Sequence, residues 1–128
     1  MSEKELRRSE MMAHLLDALD QGQDIGHYGR LVFTMVARHF LDDRQLVRYL
    51  TKDPSCDETE AQGLVAQVRD RDYNPPRRER ILEWQEQQDF PICPRPEDPD
   101  CCNVYKDLTF PDGVYEDISE YHQQKVAD

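Results

Sequence analysis

The chain has 128 residues, 38% of them hydrophobic, which allows one modest core and a single domain over residues 1–128. Acids outnumber Lys and Arg by 27 to 16, a formal net charge of -11, so a uniformly basic nucleic-acid-coating protein is excluded. No apolar run approaches a spanning length and no leader with a cleavage site is visible, so the sequence reads as soluble, cytoplasmic and without a membrane partner.

Helical periodicity runs through most of the chain. Residues 3–20 carry Leu6, Met11, Met12, Leu15, Leu16 and Leu19 at helical spacing. Gly22 and Gly26 bracket a turn around Asp24. From His27 the segment HYGRLVFTMVARHFL is apolar on nearly every side, which predicts a helix buried against several neighbours. Asp42 or Asp43 caps the next helix, with Leu46, Val47 and Leu50 facing inward. Pro54 and Ser55 interrupt, and Asp57 opens a helix with Ala61, Leu64, Val65 and Val68 on one stripe. Pro75 and Pro76 stop the chain and start another helix through Trp84. Residues 89–100 hold four prolines and no period, an irregular loop that also carries Cys93. Leu108 to Pro111 reads as extended, and Val114, Ile118 and Tyr121 mark a last amphipathic, acidic helix over 113–128. No stretch alternates with strand period. The expected fold is all-α, with five to six helices and an irregular Pro/Cys loop near the C-terminus.

Charge is uneven along this frame. Residues 1–82 hold 15 acids and 13 cations, a balance of -2, whereas residues 83–128 hold 12 acids and 3 cations, a balance of -9. Against that trend, Arg69, Arg71, Arg77, Arg78 and Arg80 fall within twelve positions, around Tyr73 and the Pro75–Pro76 step. Arg forks onto phosphate oxygens and an aromatic face stacks on a base, so this segment is a candidate surface for single-stranded nucleic acid. The bland alternative is a solvated helix end whose acids, Asp70, Asp72 and Glu79, pair locally with the arginines.

His27 and Arg30 stand at the start of the most apolar helix, where unpaired N–H groups suit anions. Here too a plainer reading exists, with Arg30 paired to an acid such as Asp24. Cys93, Cys101 and Cys102 form a third candidate group, for zinc or an iron–sulfur cluster, with Cys56 and a histidine brought in by folding. Adjacent Cys101 and Cys102 would strain the backbone if both bound one zinc. Buried thiols without a metal are the alternative, and in a reducing compartment thiols or ligands are expected before disulfides. No catalytic motif is present, and no catalytic residue is assigned.

Taken in order, these pieces resemble the C-terminal iron–sulfur domain of the archaeo-eukaryotic DNA primase large subunit. The entry G-x-x-(I/L)-x-H-x-x-R is similar to Gly22-Gln23-Asp24-Ile25-Gly26-His27-Tyr28-Gly29-Arg30, followed by the apolar helix LVFTMVARHFL. DPSCDETEAQGLVAQV is similar to the acidic and amphipathic piece, and Tyr73-Asn74-Pro75-Pro76 to the Y-x-P-P-S-C step. Cys93 with Cys101 or Cys102 is similar to the later cysteines, so the resemblance spans about residues 8–112. Arg7-Arg8-Ser9-Glu10 stands where the first family cysteine is expected, and Arg77-Arg78 where the second is. The resemblance implies a helical domain whose 4Fe–4S cluster is degraded or lost. It implies a non-catalytic nucleic-acid or nucleotide-binding accessory that assists primer initiation beside a primase catalytic subunit. In it His27 and Arg30 hold template or triphosphate, the arginines line the strand and Tyr73 stacks. An acidic protein–protein adaptor that kept the helical frame and lost nucleic-acid and cluster binding is the alternative, favoured by the net charge.

Overall fold

The computed structural model describes residues 2–116. It is helical, without a strand among the described residues. The helices are α1 (Glu3–Leu6), α2 (Glu10–Asp20), α3 (Gly26–Ala37), α4 (Asp43–Leu50), α5 (Glu58–Asp70), α6 (Arg78–Gln85) and α7 (Val104–Asp107). The all-α expectation is met. The last amphipathic helix is described only over residues 112–116, and Ile118 and Tyr121 lie outside the described residues. No described helix is long and apolar enough to cross a membrane.

Local chemistry sets the boundaries. The stripe over residues 3–20 is broken in two because Ser9, fully buried, accepts the Met12 N–H at 3.2 Å and starts α2 afresh. Asp42 and Gln45 form a reciprocal capping box at α4, and Asp57 accepts the Glu60 N–H at 2.8 Å at α5. α6 begins later than its prolines suggest, at Arg78, because Pro75 and Pro76 are buried in the lead-in segment. The Pro75 carbonyl there accepts the Tyr105 hydroxyl. α7, with four residues, is too short to show a period in the sequence.

α3 is the central helix and packs against α2, α4, α5 and α6. Val32, Phe33, Met35, Val36 and Ala37 are all buried, which explains a helix that is apolar all round. Buried Thr34 avoids an unpaired hydroxyl by donating to the Arg30 carbonyl at 2.8 Å. Placing α3 in the middle puts its N-terminus and the neighbouring α6 on the surface where the candidate residues stand.

Candidate nucleic-acid interface

The start of α3 has no side-chain cap of its own, and other segments fill it. Gly26 N–H donates to Asp24 Oδ1 at 2.8 Å, Ile25 N–H to Asp53 Oδ2 at 3.0 Å, and Tyr28 N–H to Gln88 Oε1 at 2.9 Å. Arg30 Nη1 donates to Asp53 Oδ2 at 2.9 Å and to Asp24 Oδ1 at 3.2 Å. The Arg30 side chain is 13% exposed and that of Asp53 is 0% exposed. The anion seat is therefore taken by the chain's own carboxylates, and Arg30 holds the turn together. Asp24 titrates below the ordinary carboxylate range, first because Ser55 Oγ donates to it at 2.7 Å, then through the Gly26 N–H and the Arg30 charge. Asp24 as the partner of Arg30 is legible in the sequence. Asp53 is not, although Asp-Pro-Ser carries an Asx-turn signature that the structure bears out in Ser55 N–H donating to Asp53 Oδ1 at 2.8 Å.

His27 is exposed, and its ring meets that of Tyr28 edge-on at 5.3 Å. Tyr28 stacks on Trp84 at 5.6 Å, and the Arg80 guanidinium lies 6.0 Å from the Trp84 ring. His27 is thus joined to α6 by a line of rings.

The arginine segment divides. Arg69 leaves towards α4 and pairs with Asp43, while Arg71 is exposed at the C-cap of α5. Asp72, with a φ of 50°, turns out to pair with Arg38 at 2.7 Å rather than with its own arginines. Arg77, Arg78 and Arg80 gather instead around α6. One open groove of about 670 Å³ is bordered by Leu31 and Met35 of α3, Tyr73, Arg77, Arg80 and Trp84. A second, of about 530 Å³, is bordered by Arg77, Arg78, Tyr105, Tyr115 and Asn103. Arg77 and Glu79 line both, so the two adjoin across the start of α6. Glu79 and Glu83 temper the positive charge, and Arg80 makes only a long contact of 3.9 Å to Glu83. Tyr105 remains a neutral phenol, because burial pushes its ionisation up to about 12. Trp84, Tyr105 and Tyr115 were missed in sequence. Trp84 had a readable signal, since Arg80 and Trp84 stand at i and i+4 on one face of a helix.

The cysteines cluster under the loop that follows α6. The Sγ atoms of buried Cys93, Cys101 and Cys102 lie within 4.8 Å of one another. Cys93 and Cys102 are disulfide-bonded, so the expected thiols are found at Cys101 and Cys56 only. Adjacent Cys101 and Cys102 do reach one site, because Cys102 adopts a left-handed φ of 71° that turns the chain between them. A non-glycine residue there costs about 1–2 kcal/mol. Cys56 is buried apart from the cluster, its thiol donating to the Asp57 carbonyl at 3.7 Å. Two other segments reach this loop at different points. Glu10 Oε2 lies 3.9 Å from Cys101 Sγ, and Arg78 Nη2 donates to the Pro96 carbonyl at 2.6 Å. A 4Fe–4S cluster takes four soft ligands, one per iron. Three cysteines and a carboxylate do not meet that requirement, so the donor set does not fit the cluster.

No protein-family model matches the chain, and neither a curated protein nor a solved structure matches it.

Proposed function

We propose that the chain binds single-stranded nucleic acid along α6, as a non-catalytic accessory of a priming apparatus. The observation that carries this is the ring of Arg77, Arg78 and Arg80 interleaved with Tyr73, Trp84, Tyr105 and Tyr115 around two adjoining grooves. Guanidinium groups take the phosphates, and the aromatic faces take successive bases at about 1–3 kcal/mol each. Helix α6 has no side-chain cap, so the partial positive charge of its N-terminus adds to the arginines. Arg30 acts indirectly, by fixing the start of α3, and His27 extends the aromatic line through Tyr28. The place beside a catalytic subunit rests on the order of motifs along the chain, the Gly22–Arg30 entry followed by the Tyr73–Pro76 step, and not on the cysteine cluster.

Trp84 is the chain's single tryptophan, so its fluorescence reports directly on the groove. Single-stranded DNA and RNA oligonucleotides are expected to quench it. Three arginine–phosphate contacts give a log–log salt slope of about -2, hence roughly a 20-fold loss of affinity between 50 and 200 mM salt. An unchanged emission together with no salt-dependent anisotropy of labelled oligonucleotide sinks the reading. A second reading, an acidic protein-interaction adaptor, draws on the balance of -9 over residues 83–128 and predicts that negative result.

A further inference from the structure

The cysteine cluster contains more than a disulfide uses. Cys93 and Cys102 are bonded to each other, yet Cys101 places a third buried sulfur within the same 4.8 Å span. The left-handed backbone at Cys102 is what brings the two neighbouring sulfurs to one side. A fourth donor comes from a distant segment: Glu10, the first residue of α2, sets Oε2 3.9 Å from Cys101 Sγ. Arg95 Nη2 and Nε hold that same oxygen at 2.6 and 3.2 Å. A tetrahedral ion with zinc–sulfur bonds of about 2.3 Å keeps its thiolates about 3.8 Å apart. That distance lies inside the span these sulfurs occupy.

We infer that the reduced chain binds a single Zn²⁺ through Cys93, Cys101 and Cys102, with Glu10 as the fourth, oxygen ligand and Arg95 orienting that carboxylate. Three soft thiolates and one oxygen make a donor set for a mononuclear ion. Zn²⁺ outcompetes Fe²⁺ at such sites by the ordinary order of divalent affinities. The ion would tie α2 to the loop before α7. The Arg95 guanidinium on Glu10 Oε2 fixes that ligand and offsets the charge of three thiolates.

Loading requires the disulfide to open. A dithiol reductant gives up two electrons and two protons, the Cys93–Cys102 bond breaks into two thiols, and the dithiol closes to its cyclic disulfide. The metal then displaces three thiol protons to the buffer. None of these four ligands lines the α6 grooves, so the inference stands or falls separately from strand binding.

The test is a Co²⁺ titration of the full chain after dithiol reduction and anaerobic desalting. We expect the visible absorption of tetrahedral cobalt and a thiolate charge-transfer band, saturating at about one ion per chain and bleached by Zn²⁺. Glu10→Gln should weaken binding about 10–100-fold while keeping the charge-transfer intensity. Cys101→Ser should weaken it further and lower that intensity, and Cys56→Ser should change nothing. A folded, reduced chain without a cobalt spectrum overturns the inference. So does a Cys101→Ser variant that binds like the parent, or about four irons per chain after anaerobic incubation with ferrous iron and sulfide. Should Cys101→Ser lose its helical circular dichroism, alkylation of the parent chain decides: Zn²⁺ must shield three thiols, and fewer overturns the site.

Discussion

At the start of α3, Arg30 is enclosed by Asp24 and Asp53 and its side chain is 13% exposed. At the start of α6, Arg77, Arg78 and Arg80 ring two open grooves among aromatic side chains. Both places join arginine to a helix N-terminus, but the chain's own carboxylates close the first and the second borders open grooves. Among the described residues, a carboxylate brought from a distant segment distinguishes Arg30 from Arg80. Buried Asp53 reaches Arg30, while Arg80 meets Glu83 only at 3.9 Å and stays 62% exposed. Arginine content alone therefore does not locate an anion site; the acids that folding delivers decide it.

The contrast can be broken most forcefully at Asp53. Asp53→Ala removes the acceptor for Arg30 Nη1 and the Ile25 N–H together and leaves a largely buried cation without its main partner. Unfolding in urea should show a loss of about 3–5 kcal/mol. Gly26→Ala is next. Its φ is +78°, and a Cβ there would meet the Gln88 side-chain amide at 2.4–2.6 Å, so a loss of about 1–3 kcal/mol is expected in the same assay. Arg80→Ala should do the reverse of both. Oligonucleotide affinity, read by anisotropy, drops about tenfold or less, while the unfolding free energy stays within about 0.5 kcal/mol. An Arg80→Ala protein that loses stability and keeps affinity would erase the distinction between the two helix starts.

The smallest effect is a pH dependence confined to α3. Asp24 has a folded-state pKa depressed chiefly by the Ser55 hydroxyl, so its contribution is present above the unfolded carboxylate value. That contribution is lost as pH falls through the lower folded value. Ser55→Ala should therefore be less stable than the parent at neutral pH, with the gap closing in acid.

Much of the helical frame was legible because its signals are local. Asp42, Asp57 and the Leu/Met stripe of α2 act within one or two turns, and the structure places them as the sequence implies. The site was legible only in part. Tyr73, Arg77 and Arg80 line one groove and Arg78 the adjoining one, whereas Arg69 is drawn off by Asp43 from another helix. Asp53 and Arg30 stand 23 residues apart, and Glu10 and Cys101 stand 91 apart. No periodicity links such pairs, because tertiary packing and not local propensity brings them into contact. The turn at Cys102 was hidden for a related reason: only the surrounding fold can hold a non-glycine residue at that φ.

Gln88 has a kinetic consequence. Its amide accepts from Tyr28 N–H at 2.9 Å and donates to the Ile25 and Phe90 carbonyls at 2.9 and 3.0 Å, so it pins the segment after α6 onto the start of α3. The walls of the larger groove are thus latched by the protein before any strand arrives. A preformed cleft spares the encounter an ordering step. Salt should then act mainly on the association rate, while side chains such as Trp84 set the residence time. Stopped-flow traces would separate the two, and loosening the latch with Gln88→Ala should slow capture without altering its dependence on ionic strength.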